Sequence, residues 1–118
     1  MSAGRLALAA AAGADLVVDV SAGQTLRDAQ GQLGMAEGFD IALEMSGSPA
    51  AVEDLLANMN HGGRVAMLGL PKDRYAIDWG RVITHMPTLR GIYGRETFEA
   101  AFDETRSGTG GKVVLDWS

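Results

Sequence analysis

Three glycines stand where apolar stretches of this sequence run out: Gly47 after Phe39–Met45, Gly69 within Leu68–Leu70, and Gly94 after Thr88–Tyr93. A ligand of an open parallel sheet lies outside the carboxyl ends of its strands. Glycine at such an end lets the backbone pass close to a flat cofactor, because no Cβ stands in the way. Taken singly, each of these glycines is better explained by a strand that simply turns. Three in succession at consecutive strand ends favour a nucleotide crevice.

Other groups with chemical potential do less. His61 and His85 are the two histidines, and their separation has no metal-ligand spacing; a turn and a helix end are the expected settings. Gly108–Lys112 has the outline of a phosphate loop. However, Arg106 occupies the position of its first glycine, and Val113 replaces the hydroxyl residue that would hold magnesium. Ser46 and Ser48 do not form a nucleophile elbow. Asp40 and Glu44 share a strand parity, but paired carboxylates need a pocket before they mean acid–base work. Asp103 and Glu104 read as a solvated helix face. Trp79 and Trp117 read as packing anchors rather than stacking platforms.

The elements that must position these residues alternate regularly. Leu6–Ala12 is helical by alanine propensity and Gly13 ends it. A basic residue before a short apolar run is also the outline of a secretory signal; the buried helix is the preferred reading, the run being too short to cross a membrane. Leu16–Val20 reads as a buried strand. Gln24–Leu33 carries a weak helical stripe at Leu26, Ala29 and Leu33, and Gly34 and Gly38 frame a turn. Phe39–Met45 is the next strand. Ser48 and Pro49 open a helix whose face holds Val52, Leu55, Leu56 and Met59, closed by Asn60–Gly63. Arg64–Leu70 is a third strand, stopped by Pro71. A short helix around Trp79–His85, a strand Thr88–Gly94, a helix Thr97–Arg106 and a strand Lys112–Trp117 complete the series. Strands separated by helices imply right-handed crossovers and a largely parallel sheet, so the fold class is α/β.

Composition sets the outer limits. The chain has 118 residues, 47% hydrophobic and 21% charged, the balance of a soluble globular domain. Fifteen acidic against ten basic residues give a formal charge of −5, spread without runs. That argues against nucleic acid and against a membrane surface, both of which need basic patches. The absence of cysteine excludes disulfides, thiolate zinc sites and a cysteine nucleophile, and fits a reducing compartment.

Longer stretches carry a resemblance. Gly38–Gly47 (GFDIALEMSG), Met59–Pro71 (MNHGGRVAMLGLP), Ile77–Trp79 and Gly91–Glu96 (GIYGRE) are similar to the coenzyme domain of zinc-dependent medium-chain dehydrogenases, among them the threonine 3-dehydrogenases. Arg106–Gly108 and Gly111–Leu115 resemble the same family's C-terminus. The match is nearly collinear from Arg5 to Glu99. It implies a Rossmann-like, doubly wound, mostly parallel sheet that lacks the family's first two strands. On that reading, residues 1–99 are a partial dinucleotide-binding domain and residues 100–118 a helix–strand remnant of the catalytic domain.

The resemblance also implies an NAD- and zinc-dependent oxidation of threonine to 2-amino-3-oxobutanoate in the cytoplasm. The implied cofactor-binding residues are Arg5, which matches an arginine beside the adenosine ribose; Leu68, Gly69 and Leu70, which match the nicotinamide-side strand end; and Ile92 and Tyr93, which complete that wall. It further implies a threonine-like small-molecule substrate and homo-oligomers formed through the last sheet strand, Thr88–Gly94.

The departures are as specific as the matches. The G-x-G-x-x-G fingerprint that would hold pyrophosphate has no counterpart, nor has the acid expected just before Arg5 to bond the ribose hydroxyls. Neither catalytic residues nor zinc ligands have counterparts, and the match jumps from Glu99 to Ala101. In the full fold, with strand order 3-2-1-4-5-6, Leu16–Val20 is separated from Phe39–Met45 by the missing strands, so it must pair elsewhere, either beside that strand or loosely. The chain is therefore expected to be inactive alone. Alternatives are a non-catalytic nucleotide-binding or oligomerisation module, or a truncated remnant.

Overall fold

A computed structural model of the chain describes residues 3–93 and 113–116. The chain divides into two compact units, residues 1–36 with 111–118, and residues 37–110.

In the first unit, helix α1 (Ala3–Ala11) is followed by strand β1 (Leu16–Asp19) and helix α2 (Leu26–Leu33). Past the end of α1, Gly13 adopts φ +93°, and the Ala14 N–H reaches back to the Ala9 carbonyl at 3.2 Å. A left-handed glycine with this return bond is the usual way a helix satisfies its last carbonyls. The strand expected over Leu16–Val20 stops at Asp19. The Asp19 carboxylate accepts from the Ser21 N–H at 3.0 Å and from the Ser21 hydroxyl at 2.6 Å, pulling Val20–Ala22 into a 3-10 turn. At the start of α2, Thr25 Oγ1 accepts the Asp28 N–H at 3.1 Å and donates to the Asp28 carboxylate at 2.7 Å. Val18, Leu26 and Ala29 form the buried centre of this unit. Strand β5 (Val113–Asp116) pairs in parallel with β1, Leu16 opposite Val113. This settles where β1 goes: it lies neither beside Phe39–Met45 nor unpaired. The expected strand Lys112–Trp117 is thus present in its central part, while the expected helix Thr97–Arg106 lies outside the described residues.

The second unit holds the parallel sheet β2-β3-β4, made of β2 (Phe39–Glu44), β3 (Met59–Met67) and β4 (Thr88–Gly91), with helices α3 (Pro49–Ala57) and α4 (Trp79–His85) in the crossovers. This is a consecutive run of parallel strands in the sense that the sequence implies. Its core joins Ala51, Val52, Leu55 and Leu56 of α3 to Phe39, Met59, Val65 and Ala66 of the sheet.

The end of α3 and the start of β3 differ from the sequence reading, and β2 and β4 stop short of it, at Glu44 and Gly91. Met59 does not continue the face of α3 but opens β3, where it is buried. The cause is Asn58, whose side-chain amide donates to the Asp54 carbonyl at 2.6 Å and to the Asp54 carboxylate at 3.1 Å; this ends the helix, and the Asn58 carbonyl then accepts the Phe39 N–H at 2.9 Å. The residues expected to close the helix, Asn60–Gly63, instead form an irregular stretch of β3, with Phe39 opposite Met59 and Ile41 opposite Arg64. Trp79 is also unlike its expected role. It opens α4 at 61% exposure and anchors no core.

Asp54 yields a test of this helix end. Burial is the main cause raising its carboxyl above the ordinary value; the Asn58 hydrogen bond opposes this and Glu53 adds to it. A carboxylate with a raised folded-state pKa costs stability at neutral pH, and the cost fades as pH falls through that pKa. Asp54→Asn keeps an acceptor for Asn58. It should therefore stabilise the chain slightly at neutral pH, by less than about 0.5 kcal/mol for a group only partly buried. The gain should vanish in urea melts taken at acid pH.

Candidate functional site

The carboxyl ends of β2, β3 and β4 lie at one end of the sheet in the second unit. There β2 turns sharply at Ser46 and Gly47 before Ser48 and Pro49 start α3. The turn is built around Glu44, the last residue of β2, which is 3% exposed although ionisable. A buried carboxylate is tolerated only when donors replace its water. Here the Ser46 N–H donates to Oε1 at 2.8 Å, the Ser46 hydroxyl donates to the same oxygen, and the Gly47 N–H lies 3.1 and 3.2 Å from the two oxygens.

The exit of β3 is tied to the same residue. The Leu68 and Gly69 N–H groups both donate to the Glu44 carbonyl, at 2.8 and 2.9 Å. Two successive amides on one carbonyl cannot continue a ladder, which is why β3 ends at Met67 and not at Leu70 as expected. One strand over, the Ile92 N–H donates to the Met67 carbonyl at 2.9 Å, so the chain remains bonded to the sheet just past β4.

Both described glycines of the set are required by contacts within the protein. Gly47 has φ +70°, and a Cβ there would stand 2.5 Å from the Leu70 carbonyl oxygen. A Cβ on Gly69 would overlap the Gly47 amide nitrogen and come within 2.5 Å of Glu44 Oε2. The glycines thus let two strand exits pack backbone to backbone. Gly94 lies outside the described residues.

The expected cofactor residues divide accordingly. Leu68, Gly69 and Leu70 leave the sheet together beside the β2 turn, and Ile92 joins them through Met67. Leu68 and Ile92 are half-buried. Leu70 is 80% exposed, Tyr93 90%, and Met45 at the end of β2 61%. Arg5 is an exposed residue of α1 in the other unit. Glu44 was not singled out by sequence beyond its parity with Asp40; of these two acids of β2 only Glu44 is buried, and the sequence carries no signal for that difference.

Zinc does not fit the described residues. The chain has no cysteine and two histidines, and no group of three His, Cys, Asp or Glu residues able to hold a metal exists among the described residues. His61 and His85, on β3 and at the last turn of α4, stack with ring centroids 4.9 Å apart. Among the described residues, no helix is long and apolar enough to cross a membrane.

The sequence model of the zinc-binding dehydrogenases matches residues 1–107. The chain belongs to that family. It is 47% identical to L-threonine 3-dehydrogenase of Streptomyces coelicolor over 97% of its own length and 42% of that protein's, and 44% identical to the enzyme so named in Saccharopolyspora erythraea. It thus spans about two fifths of the length of the curated relatives it matches. The alignment to the first runs over 143 positions, more than the 118 residues present, so the relative has internal residues without counterpart here. Among solved structures, a putative zinc-binding dehydrogenase of Sinorhizobium meliloti bound to NADP superposes with a TM-score of 0.70 over 86% of this chain and 31% of its own, at 24% identity. Benzyl alcohol dehydrogenase of Acinetobacter calcoaceticus gives 0.67 over 100% of this chain and 41% of its own, at 19% identity. These likenesses establish the Rossmann-like fold of a zinc-binding dehydrogenase, present in part.

Gly69→Ala should destabilise the chain by about 1–3 kcal/mol in urea melts, because a methyl group cannot enter that backbone contact without moving a strand exit. Leu70→Ala, at an exposed position, should change stability by less than about 0.5 kcal/mol.

Proposed function

We propose that this chain forms one wall of the dinucleotide cleft of an NAD-dependent L-threonine 3-dehydrogenase and is inactive alone. The observation that carries this reading is the row of exposed apolar side chains at the carboxyl ends of three adjacent parallel strands: Met45, Leu70 and Tyr93. Large apolar groups left in water at the ligand-binding end of such a sheet suit the face of a flat ring. Leu68, Gly69, Leu70, Ile92 and Tyr93 would flank the nicotinamide, and Arg5 the adenosine ribose. When bound, NAD accepts the hydride; this chain's residues only position its ring and keep water from one side.

The complete enzyme would oxidise threonine to 2-amino-3-oxobutanoate in the cytoplasm. Its zinc and its proton relay would come from protein outside this chain, as would the pyrophosphate-binding glycines. Residues 1–99 and 100–118 would correspond to its coenzyme domain and to a remnant of its catalytic domain. Among the described strands, β4 pairs only with β3, which leaves its other edge as the surface for homo-oligomers.

A titration with NAD, followed through backbone amide shifts, tests the reading. With the pyrophosphate site missing, binding should be weak, with Kd on the order of 1 mM. The shifts should concentrate at Leu68–Leu70 and Ile92–Tyr93, and replacing both Leu70 and Tyr93 by alanine should weaken binding about tenfold. Shifts confined to other residues, or none at millimolar NAD, would sink it. Threonine added with NAD should produce no NADH; steady NADH formation by the purified chain would contradict its dependence on missing parts.

A further inference from the structure

We infer that Glu44 is the positioning residue of this wall: its buried carboxylate locks the turn after β2 and the exit of β3 into one rigid piece. What the wall is for rests on the cleft reading above; the lock rests on geometry alone.

Glu44 holds the two exits with different parts of itself. Its side chain takes the Ser46 N–H, the Ser46 hydroxyl and the Gly47 N–H, which fixes the course of the chain after β2. Its own carbonyl takes the Leu68 and Gly69 N–H groups, which fixes the course after β3. The two halves also meet. Gly69 faces Glu44 Oε2 so closely that a Cβ there would lie 2.5 Å from it, and Gly47 faces the Leu70 carbonyl at the same hypothetical distance. Ser46 Oγ in turn accepts the Ser48 N–H at 3.1 Å, extending the network to the start of α3.

A catalytic role for this carboxylate is excluded by the same geometry. It is 3% exposed and both oxygens point at donors of its own turn. It can act on a ligand only by placing Leu68–Leu70, whose positions depend on where the β2 turn sits. Loops at ligand sites commonly open at low cost. Here one residue takes three donors of the β2 turn on its carboxylate and two of the β3 exit on its carbonyl, with Gly69 packed against the carboxylate, so the two loops should open together or not at all.

The test is amide hydrogen exchange in Glu44→Ala, Glu44→Gln and Ser46→Ala, read residue by residue. Glu44→Ala keeps the backbone carbonyl that Leu68 and Gly69 use. If the carboxylate locks both exits, exchange should nonetheless rise about tenfold at Leu68 and Gly69 as well as at Gly47, while amides paired between β3 and β4 stay within about twofold. Glu44→Gln keeps an acceptor oxygen but turns an NH2 toward the turn donors. It should restore part of the protection, leaving a rise of about threefold at all three sites. Faster exchange at Gly47 alone would overturn the proposal, showing that the carboxylate serves only its own turn. Should Glu44→Ala not fold, the Gln and Ser46→Ala variants decide: a shared rise at Gly47 and Gly69 supports the lock, and an isolated one refutes it. NAD shifts in the same samples separate the two ideas. If the unmodified chain shows none, the cleft reading falls while the exchange pattern still decides the lock; if it shows them, Glu44→Gln should weaken NAD binding about threefold without changing which residues shift.

Discussion

The geometry of the sheet's carboxyl end depends on one constraint: a polar, ionisable side chain has been taken out of water at the last position of a strand. Glu44 must find donors within reach, and the nearest are the amides and hydroxyl of the residues just after it. Meeting that need bends the chain at Ser46 and Gly47. The bend brings Gly47 against the exit of the neighbouring strand, which requires glycine at 47 and at 69. The end of β3, the start of α3 and the course of Leu68–Leu70 follow from the same demand.

Dehydrogenase clefts of this type need a flat, dry surface on one side of a ring and polar, charged groups around phosphates and ribose. The proposed wall would supply the first. Apolar side chains stand in water at adjacent strand ends, while no G-x-G-x-x-G motif occurs in the sequence. Relatives 44–47% identical contain this stretch within proteins more than twice as long, where it is one component of a larger whole.

Much of this was legible in the sequence. Alternating apolar stretches and glycine-bearing turns marked each described helix and strand, because buried parallel strands and capped helices leave strong local patterns. The close approach of two strand ends was legible through their glycines, Gly47 and Gly69. The sequence did not reveal where strands stop, because that is decided by hydrogen bonds between segments distant along the chain. Leu68 and Gly69 read as strand, yet both amides converge on the Glu44 carbonyl. Met59 read as helix, yet the Asn58 side chain ends the helix before it. The partner of β1 was equally hidden, since β5 lies about a hundred residues further along the chain. Glu44 itself read as half of an unremarkable carboxylate pair; its importance lies in burial, which composition does not record.

Nuclear Overhauser contacts between NAD and the chain measure most directly whether Leu70 and Tyr93 face the nicotinamide ring of a bound dinucleotide. Contacts are expected from the nicotinamide protons to the Leu70 methyls and the Tyr93 ring. Contacts from those side chains to the adenine alone, or contacts of NAD only with residues away from the β2, β3 and β4 ends, would contradict that placement.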